Sequence, residues 1–138
     1  MNELQEDSVR LVMAYIEASQ HAREIGDPAD FELLRSYLAD DVILKQASPW
    51  THEAWRVIHE GPDAIISRLR QPSNASRALQ TQTVNAVSAG DEVLVEQLST
   101  IITDSGQYVS STCFVFSIAN GKITGGRLYR NDAGLPTA

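Results

Sequence analysis

The stretch Asp91–Asn131, DEVLVEQLSTIITDSGQYVSSTCFVFSIANGKITGGRLYRN, decides the fold. Asp91 to Thr103 is dense in Val, Leu, Ile and Thr, and Asp104-Ser105-Gly106-Gln107 turns the chain. Tyr108 to Ile118 runs back, Asn120-Gly121 turns it again, and Lys122 to Arg130 leaves. Branched and aromatic side chains favour a pleated backbone, and Ser-Gly and Asn-Gly supply the positive φ that tight hairpins need. The stretch therefore reads as an antiparallel meander. A further strand, Leu79 to Val87, precedes it across the turn Ala89-Gly90-Asp91.

Upstream the apolar period changes from two to that of a helix. Val9, Val12, Met13 and Ile16 form one stripe within Glu3–Glu24, which Gly26-Asp27-Pro28 stops. Asp30 is the expected cap of a second helix, Phe31 to Leu38, which Asp40-Asp41 ends before a strand beginning at Val42-Ile43-Leu44. Ser48 to Glu60 is irregular until Trp55/Val57/His59 alternate with Arg56/Ile58/Glu60 as a short strand. Gly61-Pro62 starts a third helix carrying Ile65, Ile66 and Leu69, and Pro72 closes it. Helices first and sheet later is the α+β arrangement, with helices on one face of the sheet.

Turn geometry sorts the meander into faces. With Ser105-Gly106 as a two-residue loop, Gln97 opposes Phe114 and Ser99 opposes Thr112. One face then carries Val93, Val95, Gln97, Ser99, Ile101, Thr112, Phe114 and Phe116; the other carries Leu94, Glu96, Leu98, Ile102, Cys113 and Val115. Both are mainly apolar, so both are expected to be covered. Helices cover the first, and a second copy, joined sheet to sheet as a homodimer, covers the other. The alternative is a monomer that leaves some apolar area exposed. At Asn120-Gly121 a bulged turn puts Leu128 and Arg130 inward, whereas a plain two-residue turn puts Arg127 and Tyr129 there; the bulge is preferred.

With 138 residues, 43% of them hydrophobic, the chain suits one domain spanning 1–138. The formal net charge is −7 and no Lys/Arg stripe occurs, which argues against nucleic acid as a partner. No segment approaches the roughly 20 apolar residues of a membrane span. The single cysteine, Cys113, has no intrachain partner for a disulfide, and no Cys/His cluster has zinc spacing. A cytoplasmic protein without a cofactor is the expectation.

Several phrases, in order, resemble the nuclear transport factor two-like superfamily. They are Tyr15-Ile16-Glu17, Tyr37-Leu38-Ala39-Asp40-Asp41-Val42, Gly61-Pro62-Asp63-Ala64-Ile65, Asn120-Gly121-Lys122-Ile123 and Arg127-Leu128-Tyr129. The resemblance implies a cone-shaped α+β fold, cystatin-like, with a strongly curved mixed sheet packed on about three helices. The superfamily includes ketosteroid isomerases, SnoaL-like polyketide cyclases and limonene epoxide hydrolase. It makes Tyr15 the counterpart of an oxyanion donor. It also shows what is missing. The isomerase base falls at Gln46 and its protonated aspartate near Thr112 or Cys113. The hydrolase Arg-x-Asp pair falls at Gln97 and Ser99, the last-strand carboxylate of hydrolases and cyclases at Leu128, and a dehydratase histidine at Thr81. An amide takes no proton at neutral pH, so another base is needed or no such chemistry occurs.

His59 is the best remaining base, because imidazole titrates near 6.5. Its plainer reading is a surface or interface histidine, which also fits His52. Tyr15 either polarises a carbonyl or simply packs on the sheet. Trp50 and Trp55 either form an aromatic lid or plug the wide end of the cone. Gln46, Trp50, His52, Trp55, Gln97, Ser99, Thr112, Phe114, Phe116 and Leu128 are the expected lining for a small apolar ligand. The expected function is a cofactor-independent isomerase, cyclase or dehydratase, with a non-catalytic binding or dimeric assembly domain as the alternative.

Overall fold

A computed structural model describes residues 3–47, 53–71 and 78–130. The described elements are α1 (Glu3–Ile25), α2 (Pro28–Leu33), a 3-10 turn (Leu34–Tyr37), β1 (Leu38–Ala47), β2 (Trp55–Glu60) and α3 (Gly61–Arg70). The meander follows as β3 (Ala78–Ala89), β4 (Glu92–Thr103), β5 (Gly106–Ala119) and β6 (Lys122–Arg130). The sheet order is β2-β1-β6-β5-β4-β3, with β1 parallel to β6 and every other pair antiparallel. The architecture is the α+β arrangement expected from the sequence, three helices packed with a six-stranded mixed sheet.

The helical stripe of α1 fulfils its expected role: Val12 and Ala22 are fully buried and Tyr15 and Ile16 nearly so. They meet Leu34 from the 3-10 turn, Leu38 and Val42 from β1, Ile65 and Ile66 from α3, and Val93, Val95, Phe116 and Ile123 from the meander. All of these meander residues lie on the inner sheet face. Burial of such branched side chains, each worth about 1.5–3 kcal/mol, is what fixes the helices on that side.

Three local expectations are corrected. The second helix starts earlier, at Pro28, because Asp27 rather than Asp30 accepts from the Ala29 N–H at 3.0 Å. Proline at the first helical position is pre-set for it. The last turn tightens to 3-10 geometry, and β1 already begins at Leu38, so Asp40-Asp41 lie within a strand. The β4–β5 hairpin turns at Asp104-Ser105, which pairs Thr103 with Gly106 and Gln97 with Thr112. That register is two residues from the expected one. An even slip leaves every side chain on its face, so the sorting of β4 and β5 stands.

Odd slips appear elsewhere, and they matter more. Asn120 (φ 53°) and Gly121 (φ 72°) form a plain two-residue turn, pairing Ala119 with Lys122. The expected bulge is displaced to Thr124, since Ile118 pairs with Ile123 but Ser117 with Gly125. Leu128 consequently opposes Phe114 on the inner face, as the bulged reading requires, while Arg127 and Tyr129 face out. In β2 an extra residue, Ile58, separates the Leu44–His59 pair from the Lys45–Val57 pair. His59 and Trp55 therefore lie on opposite faces, contrary to the simple alternation.

Candidate functional site

A cavity of about 470 Å³ lies between the inner sheet face and the helices. Its volume falls within the roughly 300–1,000 Å³ usual for small-molecule sites. From α1 come Tyr15, Ile16, Ser19, Gln20 and Arg23; from α3 come Ile65, Arg68 and Leu69. The sheet supplies Leu44, Gln46, Ile58, His59, Thr81, Gln97, Phe114, Phe116 and Leu128. Helical spacing brings Tyr15, Ser19 and Arg23 to one side of α1. The bulge at Ile58 is what turns the imidazole inward beside Leu44.

Tyr15 is almost fully buried, held edge-on between Tyr37 and Phe116 with centroids 6.1 and 6.2 Å away. Burial raises its phenol above the usual value, and a hydrogen bond with Ser19 offsets part of this. The phenol is a donor throughout the physiological range. His59 is half-buried, and burial, followed by the Arg68 charge, lowers its pKa from the ordinary value. Its imidazole is neutral at pH 7 and has a lone pair to offer. No hydrogen bond among the described residues ties Tyr15 to His59 or fixes His59 itself.

Among the described residues Gln97 is the buried polar side chain, 7% exposed. Its amide makes no hydrogen bond to another described residue and faces the cavity, where water or a ligand must satisfy it. Gln46 accepts from Arg56 Nη2 at 3.4 Å across the β1–β2 pair. Thr81 Oγ1 lies 3.4 Å from Ser99 Oγ, and Gln20 Nε2 donates to the Thr81 carbonyl at 3.4 Å. Gly126 lies against two of the lining side chains: an added Cβ would meet Leu44 Cδ2 at 2.9 Å and Phe116 Cδ1 at 3.3 Å. Only glycine lets these two side chains close over the strand.

Of the residues picked out from sequence, Tyr15, Gln46, His59, Gln97, Phe114, Phe116 and Leu128 line this cavity together. Ser99 and Thr112 share the inner face but lie beyond the lining. Trp55 is a correction: it sits on the outer face, edge-on to Tyr129 at 5.1 Å and under Arg127 at 5.6 Å. It neither plugs the cavity nor covers it. Trp50 and His52 lie outside the described residues. Sequence reading missed Arg23 and Arg68, which stand in the last turns of two separate helices. A cation there looks like an ordinary partner for the helix dipole.

Among the described residues no Asp or Glu lines the cavity, and no three His, Cys, Asp or Glu side chains come together as metal ligands would. No described helix is long and apolar enough to cross a membrane.

The helix-plus-meander frame around a mainly apolar hollow defines a class of pocket proteins, and the comparisons give it a family. The SnoaL-like domain matches residues 15–125, so the chain belongs to the SnoaL-like family of the nuclear transport factor two-like superfamily. Among solved structures it is similar to a candidate SnoaL-like polyketide cyclase from Jannaschia sp. CCS1, at 15% identity and a TM-score of 0.73, covering 95% of this chain and 90% of that one. It is also similar to an LEH-like epoxide hydrolase from M. tuberculosis, at 21% identity and a TM-score of 0.65, covering 92% and 84%. A third likeness is to a nuclear transport factor two-like protein from Anabaena variabilis, at 14% identity and a TM-score of 0.67, covering 97% and 96%. At these identities the structures establish the fold alone. No curated protein matches the sequence.

Proposed function

We propose that this protein binds an apolar carbonyl compound in the cavity and acts on it as a cofactor-independent proton-transfer enzyme of the isomerase, cyclase or dehydratase type. One observation carries the reading: a neutral imidazole and a protonated phenol line the same mainly apolar hollow. In the shared first step His59 removes a proton from the carbon α to the carbonyl. The bond electrons move to the carbonyl oxygen, and the Tyr15 O–H stabilises the resulting enolate. In an isomerisation the imidazolium then returns the proton to the γ carbon, and both side chains end unchanged. The Gln97 amide holds a second polar group of the ligand.

A second reading, ligand binding without turnover, is favoured by the lack of any carboxylate among the described lining residues. Deuterium exchange separates the two. A bicyclic β,γ-unsaturated ketone is incubated with the protein in deuterated buffer and followed by NMR and by the absorbance of the conjugated product. Catalysis predicts protein-dependent exchange at the α carbon that His59→Gln lowers about 100-fold or more. Binding without exchange supports the second reading. Neither binding nor exchange across a panel of apolar ketones would sink both.

The functional unit we propose is a homodimer joined through the outer sheet face. Val57, Val87, Leu98, Ile102 and Val109 are exposed there, an apolar surface that a second copy would cover. Sedimentation of the wild type as a dimer and of Leu98→Lys as a monomer is expected; a wild-type monomer at high concentration removes this part. A reducing, cytoplasmic setting suits the lone Cys113.

A further inference from the structure

Two guanidinium groups converge on the cavity from helices far apart in the chain. Arg23 lies in the last turn of α1 and Arg68 in the last turn of α3, and both line the hollow beside His59. They are near enough to act on one another: burial, then the Arg68 charge, lowers the pKa of Arg23. Guanidinium stays charged regardless. The helix dipole accounts for a cation at each helix end. It does not account for two that border the same hollow, where like charges repel.

Their lack of partners is the second observation. The chain has 18 acidic residues against 11 Lys and Arg. Three arginines elsewhere find carboxylates, while Arg56 donates to the Gln46 amide and Lys122 to the Ser36 carbonyl. Arg10 pairs with Glu6 and Asp7, Arg35 with Glu32 and Asp63, and Arg127 with Glu92. Among the described residues no ion pair or hydrogen bond reaches the guanidinium of Arg23 or of Arg68, and the lining brings no acid to them. In an acidic protein, two cations without an anionic partner among the described residues border the same mainly apolar hollow.

We propose that Arg23 and Arg68 form an anion clamp at the solvent edge of the cavity, and that the natural ligand is an apolar molecule carrying a carboxylate. Both arginines are exposed enough to meet solvent, so the anion sits at the edge while its apolar body fills the interior. The guanidinium fork matches the two oxygens of a carboxylate, which gives orientation as well as attraction. The inference rests on the ligand-binding reading above and adds the polarity and direction of the ligand: acid outward, reactive carbon inward toward Tyr15 and His59.

Decanoate, methyl decanoate and decyl phosphate test it by calorimetry on the full chain. The wild type should bind decanoate at least about tenfold more tightly than the ester, one charge-assisted contact being worth that much. Arg23→Gln and Arg68→Gln should each remove the preference, lowering decanoate affinity far more than ester affinity, and Lys at either position should restore part of it. Circular dichroism confirms folding, which these exposed substitutions leave intact. Equal affinity for acid and ester overturns the clamp while the cavity reading stands. Tighter binding of decyl phosphate than of decanoate overturns the carboxylate assignment. Failure of all three probes to bind overturns the clamp and the cavity reading together.

Discussion

Replacing Gly126 by alanine asks whether the cavity behind Leu44 is empty. The new Cβ would stand 2.9 Å from Leu44 Cδ2, a distance that ordinary contacts do not reach, so something must move. The nearest atom is the far end of a flexible side chain, and Leu44 itself lines the cavity; Phe116 Cδ1, at 3.3 Å, must also give by a few tenths of an ångström. Leu44 has room to rotate inward. An off-rotamer displacement costs about 0.5–1.5 kcal/mol. Alanine is worth about 0.5–1 kcal/mol over glycine in a strand, because the unfolded glycine has more freedom to lose. The two nearly cancel. We expect Gly126→Ala to change unfolding free energy by less than about 1 kcal/mol in urea titrations followed by circular dichroism. Gly125→Ala is the control, because its Cβ would lie 3.3 Å from the Ile43 carbonyl oxygen, which the β1–β6 ladder holds in place. That variant should be the less stable of the two, although its nominal contact is longer. A loss above about 2 kcal/mol for Gly126→Ala, in the overpacking range, would mean that Leu44 has nowhere to go. The hollow would then be solid, and the functional reading would fail with it.

Three further outcomes follow from local physics. Leu34→Ala, at a fully buried position, should cost about 2–5 kcal/mol in the same titration; a loss under about 1 kcal/mol would show the core is not built around it. Glu92 is held below the usual carboxylate range by hydrogen bonding from Arg127, at 2.8 Å. Its stabilisation is therefore present above the unfolded carboxylate pKa and lost as pH falls through the folded value. Glu92→Gln should flatten the acid limb of stability against pH, and an unchanged limb would contradict the pairing. His59 has a lowered folded pKa, so the unfolded chain binds its proton first, and stability should fall as pH drops below the unfolded value near 6.5. His59→Gln should remove that loss, and NMR titration of the wild-type imidazole should place its midpoint below that of free histidine.

The period of the apolar residues, by itself, determined the helix on one side and the meander on the other. Val12 and Ile16 had to share a face of α1, and Val93, Val95 and Phe116 a face of the sheet, because only that arrangement removes them all from water. Even the misplaced β4–β5 turn left those faces intact, since a two-residue slip preserves alternation. Tertiary structure decided everything that depended on an odd residue. The bulge at Ile58 sends His59 inward and Trp55 outward, and the one at Thr124 sets Leu128 opposite Phe114, yet neither has a local signal. A bulge is fixed by how a strand must bend to keep its partners, which only the assembled sheet specifies. The approach of Arg23 to Arg68 is more remote still from the sequence. Each is ordinary at its own helix end, and their convergence exists only once α1 and α3 pack over the same hollow.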